Sequence, residues 1–98
     1  MPSGIQIKTP QALLTFEFDW QLEVPDGVTL QDVTHFVPPD LIIVQEEVQQ
    51  LALLSKVTIA GGKHGRLYVV TASALLSTGE TPPGQFTLRV VDPDPLNN

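Results

Sequence analysis

From Leu14 to Leu22 the chain reads Leu-Thr-Phe-Glu-Phe-Asp-Trp-Gln-Leu, apolar at every second position and polar between. Successive side chains of a strand point to opposite faces, so Leu14, Phe16, Phe18, Trp20 and Leu22 share one face and Thr15, Glu17, Asp19 and Gln21 the other. The stretch holds three of the aromatic residues of a chain with only four Phe, one Trp and one Tyr. The expectation is a half-buried strand, central to a core between two antiparallel sheets.

A chain of 98 residues makes one domain, residues 1–98, and buries roughly 65% of the surface its unfolded form exposes. With 42% hydrophobic and 16% charged residues it reads as folded. No apolar run approaches the roughly 18 residues that span a bilayer, so no membrane partner is expected. The opening Met-Pro-Ser-Gly-Ile carries neither a basic region nor an apolar stretch of signal-peptide length, and export is not expected. Cysteine is absent, which removes disulfides, thiolate nucleophiles and thiolate metal sites. A net charge of −6 on five basic residues argues against a phosphate-binding surface, and no nucleic-acid partner is expected. Lys8, Lys56, Lys63, Arg66 and Arg89 are scattered, with only Lys63 and Arg66 near neighbours around His64.

The nine prolines and seven glycines fall between the apolar stretches, which is how a protein of short strands is punctuated. Ile5 to Lys8 reads as a short edge strand or an arm pairing with a neighbouring subunit. Val24-Pro25-Asp26-Gly27 is a turn, and the chain resumes from Val28 to Leu30. Asp32 to Val37 is a second core strand with Val33, His35 and Val37 on one face and Thr34 and Phe36 on the other. Pro38-Pro39-Asp40 ends it or sends it to the other sheet, since two prolines remove two ladder donors. Leu41 to Val44 suits a strand partly covered on both faces. Between Gln45 and Lys56 helix and strand compete: Val44, Val48 and Leu51 lie at helical spacing, whereas Leu51, Leu53, Ser55, Val57 and Ile59 alternate. The all-β context favours a strand from about Leu51 to Ala60.

Gly61-Gly62-Lys63-His64-Gly65 reads as a hairpin loop joining that strand to a long one, Arg66 to Leu76, with Tyr68, Val70, Ala72 and Ala74 on one face. Ser77 to Gly84 is a polar loop. Phe86 to Val91 is the last strand, with Phe86, Leu88 and Val90 inward, before an extended tail from Asp92 to Asn98. About seven strands with turns every eight to twelve positions is the arithmetic of an all-β, immunoglobulin-like antiparallel sandwich, with a small barrel second.

Motifs for chemistry are lacking. His35 and His64 are the only histidines, and a metal site would need both plus a carboxylate from separate loops. His35 is expected in or beside a strand and His64 on a hairpin. No Gly-x-Ser-x-Gly elbow occurs and no serine lies close in sequence to a histidine. Glu46-Glu47, Asp40 and Asp92-x-Asp94 read as solvated charges rather than calcium ligands. The glycines at 61–65 lack the lysine-hydroxyl pair or helix start of a phosphate cradle. Trp20 and Tyr68 read as core anchors. No catalytic residue, cofactor or metal site is expected.

The order of Phe18-Asp19-Trp20, Val37-Pro38-Pro39-Asp40-Leu41, Gly61-Gly62-Lys63-His64-Gly65-Arg66-Leu67-Tyr68-Val69-Val70-Thr71, Thr78-Gly79 and Leu88-Arg89-Val90-Val91-Asp92 resembles a group of small tailed-bacteriophage virion proteins. These are single-domain, immunoglobulin-like fibre-to-tail adaptors or neck and tail-associated components. The resemblance spans roughly residues 16 to 92. The Gln45 to Lys56 segment, rich in Glu, Gln and Leu, and the Pro82-Pro83 loop depart from the family's pattern. The resemblance implies no catalysis and no cofactor. It implies copies in a homo-oligomeric ring in the virion, made in the host cytoplasm, whose partners are portal, neck, tail or fibre proteins.

Sequence and resemblance agree that surfaces do the work, through edge strands and loops. The candidate contacts are Ile5 and Ile7 in an N-terminal arm (residues 1–10), Lys63, His64 and Arg66 in the glycine loop, and Pro82 and Pro83 in the polar loop. Asp92, Asp94 and Leu96 of the tail (residues 92–98) complete the set. A carbohydrate- or protein-binding module of the same fold is the competing reading.

Overall fold

A computed structural model of the chain describes residues 5–92. They form seven strands: β1 (Ile5–Lys8), β2 (Leu14–Asp19), β3 (Leu30–Phe36), β4 (Leu41–Gln49), β5 (Leu54–Gly61), β6 (Leu67–Leu76) and β7 (Pro83–Val90), with no helix among the described residues. Two sheets pack as a sandwich, one in the order β1-β7-β6-β3 and the other β2-β5-β4. The expected all-β sandwich is therefore what the chain builds.

The core lies between the sheets and is filled by alternate positions of each strand, as period-2 burial requires. β2 contributes Phe16 and Phe18, followed by Trp20; β5 Val57 and Ile59; β6 Tyr68, Val70, Ala72, Ala74 and Leu76; β7 Phe86, Leu88 and Val90. The rings meet across the layers, with centroids of Phe16 and Phe86 5.0 Å apart, Phe18 and Phe86 5.5 Å, and Phe18 and Trp20 5.8 Å. Small Ala72 and Ala74 are buried on the β6 side of the core, where close packing admits no gap.

Several expectations are corrected. β2 is an edge strand and β5 is the centre of its sheet; aromatic content reports burial of a face, not the number of strands alongside. Leu14 is partly exposed and Leu22 is 98% exposed, because the strand stops at Asp19. Asp19 Oδ1 accepts the Gln21 N–H at 2.9 Å and Trp20 O accepts the Glu23 N–H at 3.0 Å, a local turn that outcompetes the ladder. The sheets are not both antiparallel, since β1 runs parallel to β7 with Ile5 opposite Thr87 and Lys8 opposite Val90. Alternation over four residues carries no information about direction.

Residues 45–49 continue β4, and residues 50–53 are a turn rather than the start of a strand. Leu51 is 102% exposed and Leu53 takes a φ of 57°. Ser55, Val57 and Ile59 share the buried face of β5, as their alternation predicts, but the strand starts three residues later than the pattern does. A bulge between Ile43 and Gln45 shifts the β4 register, and Ile42 and Val44 are exposed, so β4 is open on one face.

The Gly61–Gly65 segment is not a hairpin. It carries the chain from β5 in one sheet to β6 in the other. Gly61 and Gly62 take φ of 86° and 98°, and a Cβ on Gly61 would stand 2.8 Å from the Asp40 carbonyl oxygen, so glycine is required both by angle and by space. At the opposite end, Leu76 N–H reaches Glu80 O at 3.0 Å and Ala74 N–H reaches Pro82 O at 3.0 Å. These bonds shorten the polar loop and start β7 at Pro83, three residues before Phe86.

Candidate interaction surface

The outer face of β1-β7-β6-β3 departs from the polar surface expected of a sandwich. Register places Ile7, Arg89 and Leu67 in one row, Ile5, Thr87 and Val69 in the next, and Gln85, Thr71 and Phe36 in a third. Ile5, Ile7, Leu67, Val69 and Phe36 are between 51% and 65% exposed. The first half of β6 is thus apolar on both faces, with Thr71 and Ser73 following on the outer one. Apolar side chains grouped in this way on a chain with a complete core make this face the candidate interaction surface.

One end of this face is rigidly built. Tyr68 Oη donates to Asp40 Oδ2 at 2.9 Å and accepts the Lys63 backbone N–H at 2.9 Å. Gly62 N–H bonds Asp40 O at 3.1 Å, Gly65 N–H bonds Val90 O at 2.8 Å, and the Asp92 N–H bonds His64 Nδ1 at 2.7 Å. Lys63 Nζ lies 3.8 Å from Asp40 Oδ1, an exposed pair of little energetic weight. Lys8, at the end of β1, is 1% exposed; its Nζ donates to Thr9 O at 2.8 Å and to Gly61 O at 2.7 Å, tying β1 to the far end of β5 in the other sheet. Desolvation by burial lowers the Lys8 pKa from its ordinary 10.5.

The structure gathers most of the sequence-read candidates. Ile5 and Ile7 lie on the outer face, and Lys63, His64, Arg66 and Asp92 lie at its pinned end, beside Arg89. Four of the five basic residues belong to the segments that converge at this end, Lys8 with its ammonium turned inward to Gly61 O, where the sequence shows them scattered. Pro82 and Pro83 do not join them. Pro83 stands opposite Ser73, six positions along β6 from Leu67, or roughly 20 Å away. Asp94 and Leu96 lie outside the described residues. Sequence reading missed Leu67, Val69, Phe36 and Arg89. The available signal was the apolar run Leu67-Tyr68-Val69-Val70 that opens β6, in which the face opposite Tyr68 also carries Leu and Val.

Inside the sandwich a second constellation has the order of a hydrolytic triad. His35 Nδ1 is 2.8 Å from Glu46 Oε1, His35 Nε2 is 2.9 Å from Ser55 Oγ, and Trp20 Nε1 donates to the same Oγ at 3.1 Å. With Nδ1–H given to the carboxylate, Nε2 accepts the serine O–H, and each donor in the chain has an acceptor. Ser55 is 0% exposed and its oxygen already receives the indole N–H. A nucleophile must reach a substrate carbonyl and this one faces packed side chains, so the arrangement orders the core. Distance in sequence hid it, since β3, β4 and β5 each supply one member.

Depressions elsewhere are shallow and polar. One of about 230 Å³ lies on the outer face of β2-β5-β4, lined by Thr15, Gln45, Glu46, Glu47, Lys56 and Thr58. Among the described residues no group of three or more His, Cys, Asp or Glu is placed to hold a metal ion, and no helix is long and apolar enough to cross a membrane.

No protein with a curated description matches the chain. Residues 8–89, from the last residue of β1 through nearly all of β7, match the family model described as Gp77, podophage GP4 fiber-tail adaptor protein gp77, and the chain belongs to that fibre-tail adaptor family.

Proposed function

We propose that this chain, as a single sandwich domain, is a non-catalytic structural link in the virion that joins fibres to the tail or neck. Copies stand in a ring around the tail and contact portal, neck, tail or fibre proteins. The observation that carries the reading is the exposed apolar outer face of β1-β7-β6-β3 on a domain whose core is already closed. Ile5, Ile7, Lys63, His64, Arg66 and Asp92, with Leu67, Val69 and Arg89, are the residues through which a copy is held in the assembly, so that losing them loses the fibres the ring carries. Pro82, Pro83, Asp94 and Leu96 are proposed as secondary contacts outside this face. The buried Ser55 hydroxyl supports a role without catalysis. Synthesis in the host cytoplasm followed by assembly accords with a chain that has no disulfide to form.

The test is Val69→Asp introduced into the phage. Val69 is on the outer face, so the isolated domain is expected to keep its thermal midpoint while particles lose fibre protein relative to capsid on a quantitative gel. Particles with a full fibre complement would refute the assignment of this face.

A further inference from the structure

Resting on the reading that copies form a ring, we infer that the apolar-basic face of one copy docks on the carboxylate-bearing outer face of β2-β5-β4 in the next copy, head to tail. Arg89 sits in the row between Ile7 and Leu67 and has no carboxylate partner among the described residues. Arg66 precedes Leu67 at the same end. Two such faces packed against each other would bring arginines together over three rows that hold no acid: Asp32 is two rows beyond Phe36, and Asp40, engaged by Tyr68 and Lys63, and Asp92 stand at the pinned end outside the rows. Like charges at a desolvated contact cost several kcal/mol in general, so self-packing of this face is disfavoured.

The opposite side of the sandwich supplies the complement. Its outer positions run Glu17, Lys56, Glu47 across one row, Thr15, Thr58, Gln45 across the next, and Asp19, Leu54, Gln49 on the other side. One ammonium stands between two carboxylates, and Asp19 adds a third, leaving net negative charge on this face. The depression lined by Gln45, Glu47, Lys56 and Thr58 offers a recess for a guanidinium. Exposed Ile42, opposite Ala60 at the edge of the same face, gives the apolar rows a partner. Because the two surfaces lie on opposite sides of one domain, their contact is heterologous, the kind that closes into a ring when the rotation allows. The three apolar-basic rows cover on the order of 300–400 Å². That is below the roughly 800 Å² per partner of a stable pair, so one contact is weak and closure supplies the rest.

The chain has no cysteine, so single cysteines report contacts cleanly. Copies carrying Val69→Cys are mixed with copies carrying Gln45→Cys under mild oxidation, and a mixed disulfide is expected to dominate. Light scattering of Arg89→Glu is expected to show association weakened by about tenfold or more, with recovery when Glu47→Arg is added to the same chain. Circular dichroism melts of all variants are expected to match the parent, since every position is on an outer face. Dominant Val69→Cys self-pairing would overturn the head-to-tail contact. Association unaffected by either charge reversal would remove these faces while leaving the ring. A parent chain that is monomeric at every concentration, gives no cross-link and is present in one copy per tail would remove the ring itself.

Discussion

Removing the Ser55 hydroxyl tests the structural role of the buried network directly. Ser55→Ala takes away the acceptor of the Trp20 indole N–H at 3.1 Å and the donor to His35 Nε2 at 2.9 Å. Ser55 and Trp20 are both 0% exposed and His35 only 5%, so water does not replace the lost oxygen without opening the core. Each buried polar group left unpaired costs about 1–3 kcal/mol, which puts the loss for two groups at about 2–6 kcal/mol. Against the 5–15 kcal/mol typical of a domain this is a large fraction, and the thermal midpoint should fall by at least roughly 10 °C. The assay is urea unfolding followed through the single tryptophan, with the slope against denaturant unchanged. Thr15→Ala serves as the control: it breaks the exposed Thr15–Thr58 hydroxyl pair at 2.8 Å and should cost no more than about 0.5 kcal/mol. A cycle with Trp20→Phe, followed by circular dichroism because that change removes the only tryptophan, should show losses smaller than additive, because without the indole N–H the missing acceptor matters less. If Ser55→Ala proves no costlier than Thr15→Ala, the network is not holding the core and the argument from buried donors is wrong.

The lowered pKa of Lys8 has a definite sign: the unfolded chain holds that proton more tightly, so the group's contribution is fully present above 10.5 and is lost as pH falls through the folded value. Lys8→Met should therefore flatten the rise in stability that denaturant titrations show for the parent as pH approaches 10.5. Gly61→Ala should destabilise by about 2–4 kcal/mol through its left-handed angle and the 2.8 Å clash with the Asp40 carbonyl. Gly79→Ala, with a φ of 90° but open space around it, should cost about 1–2 kcal/mol, and equal losses would show that the clash is relieved. Tyr68→Phe leaves Asp40 Oδ2 and the Lys63 N–H without their shared hydroxyl and should cost about 1–2 kcal/mol. Its hydrogen-exchange signature is faster exchange at Lys63, and unchanged exchange there would mean the loop is held by its backbone bonds alone.

Much of the architecture was written in the pattern of residues. Alternation grouped Phe16, Phe18 and Trp20, Ser55 to Ile59, Tyr68 to Ala74 and Phe86 to Val90 each onto one face, because a strand's period of two needs no partner to be read; which face of β5 and β6 turns inward was decided by the packing. Prolines and glycines marked the breaks, because their backbone limits are local. What each strand lies beside was decided only on folding. The edge position of β2, the parallel pairing of β1 with β7, the crossing at Gly61–Gly65 and the turn at Leu51 depend on long-range hydrogen bonds such as Gly65 to Val90, which no neighbouring residue announces. The same holds for the sites. Arg66 and Arg89, and His35, Glu46 and Ser55, come together because strands distant in the chain share a sheet or face one another across the core, and proximity in space is a property of the whole packing rather than of any one segment.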